Sequence, residues 1–173
     1  DENTMKEKLT RYEKLTEWDS MYLIMLACIS FSIKNINREE KLKMFVNWML
    51  KDFRQSLVGY IYAIIYFSQR PLKKMMKYNQ ADSADIKRSN ISNMTWDLYI
   101  MNSFFRNWTT EKEKLEFVYA TDDKVLRKLL RLAIDIQINE SFEPLRKVIS
   151  QSDCEHIAEI WSMEVSEAER VYR

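Results

Sequence analysis

The sequence has little glycine, proline, histidine or cysteine: one, two, one and two residues respectively among 173. So few helix-ending residues predict long helices and argue against a turn-rich all-β fold. The single glycine excludes the Gly-rich phosphate loops of Walker and Rossmann sites. Two cysteines are too few for a disulfide framework, so a reducing, cytoplasmic location is expected.

Long hydrophobic runs are also missing. The apolar runs at 21–29 and 57–67 are shorter than the roughly 20 residues that span a bilayer, so buried helices without a membrane span are expected. Hydrophobic residues make up 46% and charged residues 31% of the chain, which fits one globular domain over residues 1–173. The first residue is Asp rather than Met, as in a fragment of a longer chain or a processed one.

Apolar residues recur at helical spacing over much of the chain. One or two helices are predicted over 4–34, and Asn37, with Glu40 three residues later, predicts the cap of the next helix. That helix can continue through 57–67 as far as Arg70, and Gly59 within it indicates a close helix approach or a break. The polar, aperiodic residues 77–93 predict a mobile loop with one helical turn at most.

The segment after this loop carries the most explicit pattern. Asn93 is a good N-cap for a helix over 94–107, with Asp97 near its start. The alternation over Leu115–Thr121 predicts a short strand, although a helix continuing from Glu113 fits too. Asp122 then predicts the cap of a helix over 123–138. The predicted fold class is a helix-dominated α/β domain with this small β element near 115–121, and the alternative is all-α.

Two acidic positions in this segment could carry chemistry. Asp97 and Asp123, with Asp122 beside them, are the candidate catalytic carboxylates, and Asp97 and Asp123 are candidate ligands for Mg²⁺ or Mn²⁺. Such an ion activates water and stabilises charge developing on a phosphate. Helix capping alone explains Asp122 fully, and explains Asp97 less well.

Residues 93–98 (Asn-Met-Thr-Trp-Asp-Leu) and 120–126 (Ala-Thr-Asp-Asp-Lys-Val-Leu) resemble the C-terminal half of a PIN-like nuclease domain. The resemblance covers about residues 88–135. It implies that Asp97 and Asp123 are the third and fourth acids of a metal site, with Thr121 as the small hydroxyl residue beside Asp123.

The family's first motif, Asp-any-Asn, is matched by residues 1–3. The resemblance therefore implies that Asp1 is the first metal-site acid and Asn3 its supporting residue. The second acid would be a helical glutamate, for which Glu40 and Glu39 are the best-placed candidates.

A basic stretch precedes the acidic positions. Six cations and two anions between Arg70 and Arg88 give a local net charge of +4, although the whole chain carries only +1. Such a stretch can hold a nucleic-acid backbone, and Tyr78 within it offers a stacking ring; a solvated loop is the alternative. The candidate RNA-binding residues are Lys73, Lys74, Lys77, Lys87 and Arg88.

Three functional hypotheses follow. The first is a PIN-like, metal-dependent ribonuclease of the toxin or phage-defence kind, with Mg²⁺ or Mn²⁺ as cofactor and RNA as substrate. The second is a non-catalytic helical interaction module, such as an adaptor, effector or antitoxin-like partner, which binds another protein or a second copy of itself. The third is a helical RNA-binding protein without catalysis.

Overall fold

The computed structural model describes residues 16–53, 55–111 and 116–159. These residues contain helices and no β-strand, so the all-α alternative describes this part of the chain. The elements are α1 (Glu17–Ser32), α2 (Arg38–Lys51), α3 (Leu57–Tyr66), α4 (Ala84–Glu111), α5 (Lys124–Asn139), a short 3-10 helix (Glu143–Lys147) and α6 (residues 151–159).

Helix α3 forms the centre of the structure. Every residue from Val58 to Ile65 is buried, and α1, α2, α4 and α5 all pack against this helix. A helix that is apolar on all sides requires neighbours on all sides, which explains the arrangement. At 10 residues, α3 is far too short to cross a bilayer, and no helix in the described ranges has the length and apolar character of a membrane span.

The single glycine, Gly59, lies where α3 meets two other helices. A Cβ atom placed on Gly59 would come within 3.1 Å of Ile24 Cδ1 in α1 and of Met49 Cε in α2. This confirms the close helix approach that the sequence indicated, because a larger side chain at this position would push α1 and α2 away from α3.

The predicted start of α2 is confirmed, but its predicted continuation is wrong. The Asn37 side chain accepts a hydrogen bond from the Glu40 N–H at 2.8 Å and caps α2. The helix then ends at Lys51 instead of running on to Arg70. Ser56 adopts an extended backbone, and its hydroxyl accepts from the Gly59 N–H. A new helix therefore starts there, because a capping serine favours an N-terminus over helix continuation.

The loop predicted for 77–93 is helical from Ala84 onward. Helix α4 runs for 28 residues without interruption, so Asn93 lies inside it and is not an N-cap. The Ile86 N–H approaches the Ser83 hydroxyl at 3.4 Å, and the Lys87 N–H donates to the Ser83 carbonyl. The helix thus starts ten residues earlier than expected, and Asp97 lies at its middle rather than near its start.

The strand predicted for Leu115–Thr121 is not found in the described residues 116–121, which form an extended segment without strand pairing. Phe117 and Tyr119 are half-buried and contact Phe104 of α4, with ring centroids 6.4 and 5.4 Å apart. Glu116, Val118 and Ala120 are exposed. The alternation therefore agrees with which side chains face inward, but a strand also needs a paired backbone, and no second strand is present in the described residues.

Candidate active site

Asp97 and Asp123 lie at the same small cavity, between α4 and the start of α5. The cavity measures about 20 Å³, which suffices for one water molecule or one ion but not for an organic ligand. Its walls combine charged groups with core side chains. They are Tyr62, Lys74, Met75, Lys77, Met94, Asp97, Leu98, Met101, Asp123, Val125, Leu126 and Leu129.

Asp123, rather than Asp122, caps helix α5. Its Oδ1 accepts hydrogen bonds from the backbone N–H groups of Val125 at 2.7 Å and Leu126 at 3.2 Å. The Asp123 N–H in turn donates to the Thr121 hydroxyl at 3.1 Å. Asp122 is exposed and does not line the cavity. The predicted cap is therefore displaced by one residue, and Oδ2 of Asp123 carries no capping bond.

Asp97 projects from the middle of α4, with its side chain about one-third exposed. Its Oδ2 lies 3.5 Å from the Nζ atom of Lys77. Partial burial raises the pKa of Asp97, the positive charge of Lys77 lowers it, and the negative charge of Asp123 raises it again; the net direction is upward. The two carboxylates are thus close enough to repel one another.

The segment that carries Lys74 and Lys77 is fixed to the helices beneath it. The Tyr62 hydroxyl of α3 donates to the Met75 carbonyl at 2.8 Å. From α4, Asn90 Nδ2 donates to the Lys77 carbonyl at 3.1 Å. Lys74 has a positive φ of 63°, a left-handed conformation that a lysine adopts at some cost. These contacts hold both lysines at the rim of the cavity.

Tyr119 is a site residue that the functional hypotheses did not include. Burial raises the pKa of its hydroxyl, and the negative charges of Asp97 and Asp123 raise it further, so the phenol lies near both carboxylates. The available signal was the alternation over 115–121, which placed Tyr119 on the inward side.

The remaining basic candidates are distributed unevenly. Lys73 and Lys74 are exposed, and neither makes an ion pair within the part of the chain that the structure describes. Lys87 is half-buried in α4. Arg88 pairs with Asp85 at 3.4 Å on the helix surface. Only Lys74 and Lys77 line the cavity with the carboxylates.

The other two acids suggested by the resemblance are not at this cavity. Asp1, like Asn3, lies outside the described residues. Glu40 is exposed in the first turn of α2, and α2 contributes no residue to the cavity wall. Within 16–53, 55–111 and 116–159, no group of three or more Cys, His, Asp or Glu side chains is arranged to hold a metal ion.

Two carboxylates still fit the chemistry of a small hard cation. Mg²⁺ commonly binds through one or two protein carboxylates and keeps several waters. Asp97 and the uncapped oxygen of Asp123 supply such a pair, beside a space that holds one small ion. The adjacent lysines add charge that can bind phosphate oxygens.

No family model matches this chain, and no curated protein or solved structure is significantly similar to it. The likeness to PIN-like nucleases therefore depends on the two sequence segments alone. A functional assignment has to be argued from the geometry of the cavity.

Proposed function

We propose that the chain is a metal-dependent ribonuclease whose centre is the Asp97–Asp123 cavity. The observation that supports this proposal most directly is that both acids line one cavity together with two lysines. Positions 97 and 123 are also the acids that the resemblance to PIN-like nucleases implies. Carboxylates that hold a cation and lysines that hold a phosphate are groups that metal-dependent phosphodiester hydrolysis can use.

In this proposal each residue has a distinct task. Asp97 and Asp123 would hold Mg²⁺ or Mn²⁺, which would supply water activation and charge stabilisation at the phosphate. Lys74 and Lys77 hold phosphate oxygens at the cavity rim, and Lys73 with the cations of α4 extends the contact along the backbone. The reaction adds one water across a P–O bond, so one product ends in a phosphate and the other in a hydroxyl group.

The ammonium group of Lys77 occupies one side of Asp97 before any metal arrives. If Asp97 held a metal, the carboxylate would exchange this ion pair for the metal contact, and Lys77 would be available to a phosphate. A lysine that leaves a carboxylate for a substrate phosphate keeps a charged partner throughout, so the exchange avoids an unpaired charge at a partly buried site.

The test combines a melting experiment with a cleavage assay. Melting in EDTA, Mg²⁺ and Mn²⁺ should show a metal-dependent rise in Tm, since a ligand that binds the native state stabilises it. Asp97→Asn and Asp123→Asn should abolish both the rise and the cleavage of single-stranded RNA. Asn can still cap α5 at position 123, so that variant preserves the helix.

Asp135→Asn on α5 is the matched control, because Asp135 does not line the cavity. It should retain the metal response and the cleavage. Full activity in the Asp97→Asn, Asp123→Asn double variant would exclude this mechanism. Absence of any Tm shift at millimolar metal would exclude a working metal site in this chain.

A second candidate function is the non-catalytic interaction module. It is supported by Trp96 and Ile100, large apolar side chains that are 49% and 46% exposed on α4. Apolar side chains at such a surface suit a protein partner. This function predicts no metal-dependent change in Tm and no loss of partner binding in Asp97→Asn.

A further inference from the structure

Helix α4 has a surface face that is nearly free of charge. Between Ser89 and Phe105 the only charged residue is Asp97, although charged residues make up 31% of the whole chain. The buried side of α4 carries Ile91, Met94, Thr95, Leu98 and Met101. The opposite side faces solvent, where a helix usually presents charged residues.

The residues on the side of α4 opposite Leu98 recur at alternating spacings of four and three. They are Ser89, Asn93, Trp96, Ile100, Ser103 and Asn107, and we call them the α4 seam. All are exposed except Ser103, which is half-buried and whose hydroxyl oxygen is buried. This spacing is that of a helix that packs lengthwise against another helix. The seam extends over about 27 Å at 1.5 Å per residue.

The α4 seam is symmetric about position 98. Placed antiparallel to itself about that position, it pairs Trp96 with Ile100, Asn93 with Ser103, and Ser89 with Asn107. The large apolar residues are at the centre and the small polar ones lie toward the ends. A contact between two identical copies related by a two-fold axis requires such self-complementarity.

The central tryptophan is already held in position. The Trp96 ring lies 5.9 Å from the Trp18 ring of α1 and 5.5 Å from the Tyr99 ring, and Trp18 itself stacks on Tyr22 at 5.3 Å. A side chain fixed in this way loses little conformational freedom when a partner covers it, so binding costs less.

We propose that the α4 seam is a homodimer interface, in which α4 of one copy packs antiparallel on α4 of a second copy. A two-fold contact brings like charges face to face, and the neutral seam avoids that repulsion. The exposed side of α5 would not avoid such repulsion, since it carries four cations: Lys124, Arg127, Lys128 and Arg131. Internal symmetry favours a second copy over an unrelated protein. The proposal is independent of the metal site.

Sedimentation equilibrium tests the association directly. A single helix pair buries little surface, so association in the micromolar range is expected, and the measurement should extend from about 1 µM to about 500 µM. At the upper end, the mass should be twice that of one chain. High salt should leave it unchanged, because no charge pairs cross the seam.

Ile100→Glu should weaken the dimer at least about ten-fold, since it places a carboxylate at the centre of the seam. Ile138→Glu is the matched control, because Ile138 is 63% exposed on α5; it should leave the dimer intact. Circular dichroism should show the same helix content in both variants. A monomer at every concentration, or a dimer unaffected by Ile100→Glu, would overturn the proposal.

Cross-linking tests the antiparallel register. Ser89→Cys and Asn107→Cys are made in separate chains, each with Cys154→Ser to remove the half-buried native thiol. Under oxidation the mixture should form a disulfide dimer, whereas each variant alone should form little, because equivalent positions lie at opposite ends of the seam. Dimers formed equally well by each single variant would indicate parallel packing and would contradict the proposal.

Discussion

The Nζ atom of Lys77 lies 3.5 Å from Oδ2 of Asp97, and so links the segment before α4 to the middle of that helix. Both side chains are partly exposed, at 42% and 33%, so the ion pair contributes at most about 1 kcal/mol to stability. Its larger consequence is local. A cation supplied by the protein pairs with one of two carboxylates at the same cavity, and a metal ion bound there, as proposed above, would have to compete with it.

Lys77→Met should therefore tighten metal binding. Without the competing cation, the free energy of metal binding should become more favourable by up to about 1 kcal/mol. This corresponds to a Kd for Mn²⁺ that is up to about five-fold lower. Isothermal titration in metal-free buffer measures the change. Lys73→Met is the control, because Lys73 is exposed and does not line the cavity. Weaker Mn²⁺ binding in Lys77→Met would contradict competition at Asp97.

The pH dependence of stability should differ between wild type and Asp97→Asn. Burial raises the pKa of Asp97 in the folded protein, so the native state keeps a proton at pH values where the unfolded chain has lost it. The free energy of unfolding therefore falls as pH rises from the ordinary carboxyl pKa through the raised one. The side-chain amide of the Asp97→Asn variant does not titrate, so its free energy of unfolding shows no such decrease. The difference in stability between the two proteins should therefore increasingly favour Asp97→Asn as pH rises.

Urea unfolding in EDTA, between about pH 3.5 and about pH 7, measures this difference. Its size should stay below about 1 kcal/mol, because water screens a carboxylate that is one-third exposed. A difference that stays constant with pH would mean that the Lys77 ion pair cancels the effects of burial and of the Asp123 charge, and one that increasingly favours wild type would mean that the ion pair outweighs them. Either result would contradict the prediction.

Substitution should destabilise the protein more at Asp123, which caps α5, than at its neighbour Asp122, which does not. Asp123→Ala removes the acceptor of two backbone hydrogen bonds and should cost about 1 kcal/mol. Asp123→Asn should cost much less, since Asn caps as well as Asp. Asp122→Ala changes an exposed side chain and should stay within about 0.5 kcal/mol. Thermal or urea unfolding ranks the three, and an equal cost at both positions would contradict this assignment of the cap.

The effect of a substitution at Gly59 on stability should depend strongly on the size of the new side chain. Ala has a higher helix propensity, by about 1 kcal/mol. Its Cβ would meet Ile24 Cδ1 and Met49 Cε at 3.1 Å and Ile24 Cγ2 at 3.3 Å, so these side chains would have to shift by a few tenths of an ångström. Gly59→Ala should therefore change stability by less than about 1 kcal/mol. Gly59→Val adds two methyl groups to a close-packed contact and should cost about 1–3 kcal/mol. The unfolding midpoints of the two variants measure this difference. Equal midpoints would contradict the prediction and would indicate unfilled space around Gly59.

Local signals in the sequence sufficed for some elements. Asn37 identified the start of α2, and the helical spacing of its apolar residues agrees with the observed buried side, which is Leu42, Phe45, Val46 and Met49. These predictions succeeded because a cap and an apolar stripe both act within a few residues. The start of α4 was missed, since the buried side chains of that helix begin only at Ile91. Ser83, followed by Asp85 in the first turn, was the available capping signal.

The candidate site was predictable only in part. The sequence singled out Asp97 and Asp123, but their meeting at one cavity depends on how α4 packs against α5, which no local pattern encodes. The ion pair with Lys77 likewise depends on Tyr62 of α3, whose hydroxyl holds the backbone at Met75, two residues before Lys77. Contacts between residues far apart in sequence follow from tertiary packing.

The central position of α3 also bears on how the chain is made. Helices that cover α3 come from both sides of it along the sequence, and α5, the last of them, ends at Asn139. A growing chain released N-terminus first exposes this apolar helix before the residues that enclose it have been synthesised. The protein should therefore be most prone to aggregate during translation, when the apolar surface of α3 is exposed. A chaperone that covers this surface would act at the same stage.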